Sequence, residues 1–176
     1  MQKQRIRAIC ITSMMTALSI IIERLIVPTF QGQSFRFDLG NIPIVLCGIF
    51  CGPVYGALCG AISDILGCYL NGYAPFLPLT LSPVLVGATP AVIHRKCTGF
   101  RGQKKNFALY SGLFTTYVAA EVLWTPFGLS LMKGTRYGAE FAINFPAACF
   151  QTVVDIVLIY VILKSRILER TGLISK

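Results

Sequence analysis

Six carboxylates, those of Glu23, Asp38, Asp64, Glu121, Glu140 and Asp155, lie in or beside long apolar runs of this chain. A charge at the centre of a bilayer costs about 2.5–3.5 kcal/mol on the gentlest scale, so such a group needs a partner or a wet cavity. In those surroundings a carboxylate accepts hydrogen bonds, pairs with a cation or carries a proton. The neighbours favour the first two uses. Arg24 adjoins Glu23, and Arg36 and Asn41 flank Asp38. Catalysis fits poorly, because nucleophile–base pairs are scarce. The single histidine, His94, sits among basic residues at the end of an apolar run. No H-E-x-x-H and no G-x-x-x-x-G-K-[ST] occurs, so neither that zinc site nor that nucleotide loop is expected. Of the seven cysteines all but Cys97 fall inside apolar runs, and Cys47 and Cys51 lie four apart without a nearby histidine; they read as small apolar fillers and not as metal ligands or disulfides.

The elements that must position these groups are membrane spans. The chain is 55% hydrophobic and only 13% charged, against about a quarter charged in soluble domains. A span takes about 20 apolar residues. Six candidates fit the 176 residues: about 6–27, 39–51, 53–70, 75–94, 106–131 and 139–163. The second is short for a full crossing. Pro53 breaks the second from the third, since proline cannot supply the donor that continues a helix. Gln31-Gly32-Gln33-Ser34, Asn71-Gly72, Thr98-Gly99 and Lys133-Gly134 mark the other turns. The first run is too long, and too charged at its end, for a cleaved signal peptide. Residues 1–176 thus read as one all-α membrane domain of six transmembrane helices, with no evident internal repeat.

Charge orients the bundle. Lys3, Arg5 and Arg7 precede the first span. Arg95, Lys96, Arg101, Lys104 and Lys105 join the fourth to the fifth, and Lys164, Arg166, Arg170 and Lys176 follow the sixth. Six spans put all three groups on one side, which the positive-inside rule makes cytoplasmic, with both termini. The same rule accounts for the net charge of +9 without a nucleic-acid partner. Polar groups then converge near the outer side: Glu23 and Arg24, then Arg36, Asp38 and Asn41, then Asp64, Tyr73 and Phe76, then Glu121 and Trp124, and finally Asn144. That convergence describes a binding site open to the outside. Asp64, Glu121 and Asn144 are read as buried and paired. Tyr73 and Trp124 also suit an interfacial aromatic belt, and Glu140, Lys133 and Arg136 read as charges at the lipid headgroups. Asp155 lies deeper, where an ion- or proton-coupled transporter working alone would place such a group.

Small residues form two patterns. Gly48, Gly52, Gly56 and Gly60 recur four apart, a spacing that lets helix backbones approach closely in lipid. Ser13-x-x-x-Ala17 repeats the pattern on the first span, with Thr12 and Thr16 beside it, and suits either internal packing or docking to another membrane protein.

The stretch R-F-D-L-G-N-I-P-I-V-L-C-G-I-F-C-G-P-V-Y-G-A-L-C-G-A-I-S-D-I-L-G, residues 36–67, resembles the second and third helices of substrate-binding S components of energy-coupling factor (ECF) vitamin transporters. Glu23-Arg24 and P-F-L-P-L-T-L-S-P at 75–83 resemble the folate branch, and the resemblance covers roughly 8–90. It implies a six-helix S-component bundle in a bacterial cell membrane, no enzymatic activity of its own, and no cofactor. It implies partnership with a transmembrane coupling protein and two cytoplasmic ATPases. Ser13 and Ala17 match the family's docking pattern in form. A folate ligand would place its pterin edge on Asp64 or Glu121, its ring on Tyr73, Phe76 or Trp124, and its glutamate tail on Arg24 or Arg36. Folate-type members carry a basic residue shortly after the proline of the sixth span; here Pro146 precedes Ala147 and Ala148. Another water-soluble vitamin or precursor is the alternative ligand.

Overall fold

The computed structural model describes residues 2–23, 39–72, 74–96 and 111–164. All regular structure among them is helical: α1 (Gln2–Ile21), α2 (Asn41–Cys51), α3 (Pro53–Leu70), α4 (Leu77–Lys96), α5 (111–133) and α6 (Tyr137–Lys164). Among the described residues six helices thus follow one another in the expected order. By length and composition, Pro53–Leu70 and Tyr137–Ile162 suffice to cross a bilayer, while Asn41–Cys51 and Leu77–Ile93 are shorter apolar helices.

The side-chain distribution inverts the soluble pattern. Thr12, Thr16, Ser19, Ser63, Ser82, Thr116 and Thr152 are buried, whereas Met14, Val54, Leu70, Leu77, Ile143 and Val157 are exposed. Several inward hydroxyls satisfy themselves one turn back, as Thr12 to the Ala8 carbonyl at 2.8 Å and Thr152 to that of Ala148 at 2.8 Å. A helix whose hydroxyls are spent internally can bury them without an unpaired polar group.

Helices α1–α4 pack on one another, and the α5–α6 hairpin joins them through α4 and α2. The α2–α3 joint is Gly52, at φ 112°, a conformation open to glycine and strained for other residues. Its N–H closes α2 on the Gly48 carbonyl at 2.9 Å, and Pro53 starts α3, where a missing N–H costs nothing. Gly48, Gly56 and Gly60 face α4. A Cβ on Gly48 or Gly56 would strike the Gly87 carbonyl, and one on Gly60 the Pro83 carbonyl. Around this contact lie Ile44, Cys47 and Cys59 on one side, and Val45, Val86, Leu113, Tyr117, Ala120 and Ile159 on the other. Cys47 and Cys59 are fully buried free thiols, against Thr12 and Thr16 at 3.5 and 3.3 Å.

Helix α5 contains a wider π-helical segment, Val118–Trp124, directly before Thr125-Pro126. A proline inside an α-helix lacks a donor and its ring crowds the carbonyl four residues back. The π segment takes in that carbonyl's residue, Val122, and carries the Thr125 N–H to the Ala120 carbonyl. Such wider turns recur at functional sites.

Candidate binding site

Glu121 lies on the π segment of α5 and joins three helices. Asn41, the first residue of α2, donates its Nδ2 to Glu121 Oε1 at 3.4 Å. Ser82 of α4 donates to the same oxygen at 3.2 Å, and Thr125 of α5 donates to Oε2 at 3.3 Å. The Ser82 and Thr125 hydroxyls also reach the Ala120 carbonyl, at 3.3 and 3.0 Å. Asn41 and Ser82 are buried, and Glu121 is half-buried. Three neutral donors from three helices thus meet at one carboxylate. Beside it, Trp124 Nε1 donates to the Pro78 carbonyl at 2.6 Å, which fixes the indole plane against the start of α4. Phe127 packs on it with centroids 5.6 Å apart. Phe76 is half-buried just ahead of α4, and its carbonyl receives the Leu79 N–H at 2.8 Å.

The expected site residues divide accordingly. Asn41 and Glu121 meet directly, and Trp124 follows Glu121 within the same π segment. Asn144 is half-buried and paired within α6: its Nδ2 donates to the Glu140 carbonyl at 2.8 Å and to Glu140 Oε2 at 3.4 Å. Asp64 is half-buried on α3, and among the described residues no hydrogen-bond or ion-pair partner reaches it, so the expected pairing is not seen. Arg24, Arg36, Asp38 and Tyr73 lie outside the described residues. Ser13 and Ala17 are exposed on α1, while Thr12 and Thr16 turn inward.

Glu140 corrects an expectation. It is only 6% exposed and not a solvated headgroup charge. Lys133 Nζ donates to both its oxygens at 3.2 Å and Thr135 adds a bond at 3.1 Å. Lys133 and Thr135 flank the left-handed Gly134 that ends α5, so the turn itself folds these donors onto the first turn of α6. Negative charge is also favoured there by the helix dipole. Lys133 is half in solvent, which weakens the pair. Lys133→Met should still lower the melting temperature more than the double change Lys133→Met, Glu140→Gln, because the single change strands a buried carboxylate. A thermal scan of both variants measures it.

Ser82 and Thr125 join the site without standing out among the polar residues of their spans. Each directly precedes a proline inside an apolar span, Ser82-Pro83 and Thr125-Pro126, and that pairing is the readable signal. The chemistry of the cluster is recognition: a carboxylate for N–H or O–H donors, neutral donors for carbonyls, and aromatic faces for a flat ring. Among the described residues no group of three His, Cys, Asp or Glu is placed to hold a metal ion.

A family model described as ECF-type riboflavin transporter, S component, matches residues 3–167. No curated protein matches the chain.

Proposed function

The chain belongs to the ECF-type riboflavin transporter S-component family, and from that premise we propose that the Glu121 cluster holds riboflavin. Membership makes the chain an integral protein of the cell membrane. It makes it the vitamin-binding subunit of a transporter, not an enzyme, working with ECF coupling and ATPase modules. The finer reading follows from the cluster.

The observation that carries it is the set of donors on Glu121. Asn41, Ser82 and Thr125 are three neutral donors that point to this carboxylate from α2, α4 and α5. Riboflavin is an uncharged ligand. Its ring imide offers an N–H between two carbonyls, and its side chain offers hydroxyls. The imide N–H suits Glu121, a carbonyl suits the second N–H of the Asn41 amide, and the ring suits the faces of Trp124 and Phe76. Folate, the ligand implied by the resemblance of residues 8–90, brings two carboxylates that need cations. Lys133, the nearest basic residue along α5, is engaged by Glu140. Ala147 stands where folate-type members carry a basic residue. These points favour riboflavin over folate, with Arg24, Arg36, Asp64 and Tyr73 as further contacts to be tested for either ligand.

The arrangement works as six spans with cytoplasmic termini and an outward pocket. Energy for inward release comes from two ATPases through a transmembrane coupling protein. The exposed line of Ile9, Ser13, Ala17 and Ile21 on α1 is the docking face. Its small central residues admit a partner helix closely. Ala17→Leu should abolish co-purification with the coupling module and leave vitamin affinity unchanged. A pull-down beside a fluorescence titration checks both halves.

Mass spectrometry of small molecules released from the purified, denatured chain tests the ligand. Riboflavin near one per chain is expected. Folate in its place would overturn the ligand assignment and keep the class. An empty chain that transports alone in liposomes would overturn the reading and return attention to Asp155, which is fully buried and bonded to Gln151 at 3.0 Å.

A further inference from the structure

Ser19, near the end of α1, carries a fully buried hydroxyl. The other hydroxyls of that helix donate one turn back, Thr12 to the Ala8 carbonyl, Ser13 to that of Ile9 and Thr16 to that of Thr12. Ser19 instead donates to the Gly40 carbonyl, 21 residues along the chain, at 2.8 Å. A hydroxyl has one proton to give, and this one is spent on the entry to α2.

That entry has little else to fix it. Gly40 caps α2 and brings no side chain to the task. The Ile42 N–H closes a short turn on the Leu39 carbonyl at 3.3 Å, and Pro43 in the first turn has no N–H to add. Yet the Gly40–Asn41 peptide is where the Asn41 side chain begins. Asn41 is 4% exposed, and its Nδ2 reaches Glu121 Oε1 at 3.4 Å. That distance is already at the long end for such a bond, so a small shift of the peptide breaks it. A buried amide that loses its acceptor is costly, which makes its placement matter.

We propose that Ser19 is a positioning residue of the vitamin site. Its hydroxyl ties α1 to the Gly40–Asn41 peptide, and so sets the reach of the Asn41 amide to Glu121. Ser19 acts through Asn41 and not on the ligand. The role rests on Glu121 holding the vitamin.

Two readouts test it, one without ligand. Asn41, Asn71, Asn106 and Asn144 are the chain's four asparagines. Magnetic resonance of the purified chain with isotope-labelled asparagine amides resolves their side-chain signals, and Asn41→Ala identifies the Asn41 pair by its loss. Ser19→Ala should move the Asn41 pair and leave that of Asn144, which is bonded within α6. Ser19→Cys fills the same space with a weaker donor and should move the pair less. In riboflavin titrations, Ser19→Ala should weaken binding about three- to tenfold. The same change made in an Asn41→Ala chain should cost nothing more, because the residue it positions is gone. A purely structural role would lower affinity equally in both backgrounds, and that result would overturn the proposal. An Asn41 signal unmoved in Ser19→Ala would overturn it too. A wild type that binds no riboflavin would overturn the ligand assignment instead, and the ligand-free Asn41 signals would still decide the role of Ser19.

Discussion

Gly87→Ala is expected to cost this protein most of its folded yield, whereas Gly138→Ala should leave it unchanged. A Cβ on Gly87 would strike the Gly56 carbonyl, with Gly56 C at 2.6 Å and Ile44 Cγ2 at 2.9 Å. The reciprocal change at Gly56 would strike the Gly87 carbonyl and approach the Gly48 Cα to 2.6 Å. Three backbones therefore meet at one point, from α2, α3 and α4. No rotamer relieves a clash between a methyl and a backbone, so whole helices must part. Overpacking costs about 1–3 kcal/mol where side chains can adjust, and occasionally more. With backbone on both sides the cost belongs at or above the top of that range, a large share of a marginal stability. Gly112→Ala makes a graded control, since its Cβ meets only the Ile93 side chain, which can rotate away. Nothing lies within 4 Å of a Cβ on Gly138. Thermal scans and monodisperse yield in detergent should rank the variants Gly138→Ala, Gly112→Ala, Gly87→Ala in order of increasing damage. A Gly87→Ala protein that melts with the wild type would refute the three-backbone contact.

That contact shows how far the sequence could be read. The four-residue spacing of Gly48, Gly56 and Gly60 announces close packing, because lipid offers no hydrophobic force to hold helices and small residues must do it. Gly52 shares the spacing but does another job, turning the chain at φ 112°. The stripe's main partner, Gly87, has no glycine four residues away and was invisible as a pattern. The same division runs through the site. Asn41, Glu121 and Trp124 were legible because polar and amphipathic groups in apolar runs need a reason. Which of them meet was not, since that depends on helix rotation. The π segment rotates Glu121 relative to an ideal α5, and it lies directly before Pro126. Asn144 shares a depth with Glu121 in the sequence, and its amide bonds Glu140 one turn back on α6. Glu140 was read as a headgroup charge since it adjoins a loop, and the loop's own Lys133 and Thr135 then fold over it.

Glu121→Gln should weaken riboflavin binding by about tenfold without unfolding the chain. The amide keeps the volume and one acceptor oxygen, so Asn41, Ser82 and Thr125 retain part of their bonds. What disappears is the charge that strengthens a hydrogen bond from a ligand N–H. Such charge-assisted bonds contribute about 1.5–3 kcal/mol, against about 0.5–1.5 kcal/mol for neutral ones. The difference, about 1–1.5 kcal/mol, is close to one decade at about 1.4 kcal/mol per tenfold in affinity. Ser82→Ala removes one neutral donor and should cost about tenfold or less on the same scale. Asn144→Ala should leave affinity untouched and lower only the melting temperature, because its bonds go to Glu140. Fluorescence titration of the three variants beside their thermal scans separates binding from folding. The order Glu121, Ser82, Asn144 follows from geometry alone. An Asn144→Ala protein that lost affinity while Glu121→Gln kept it would move the pocket from the α2–α4–α5 junction to the α5–α6 turn.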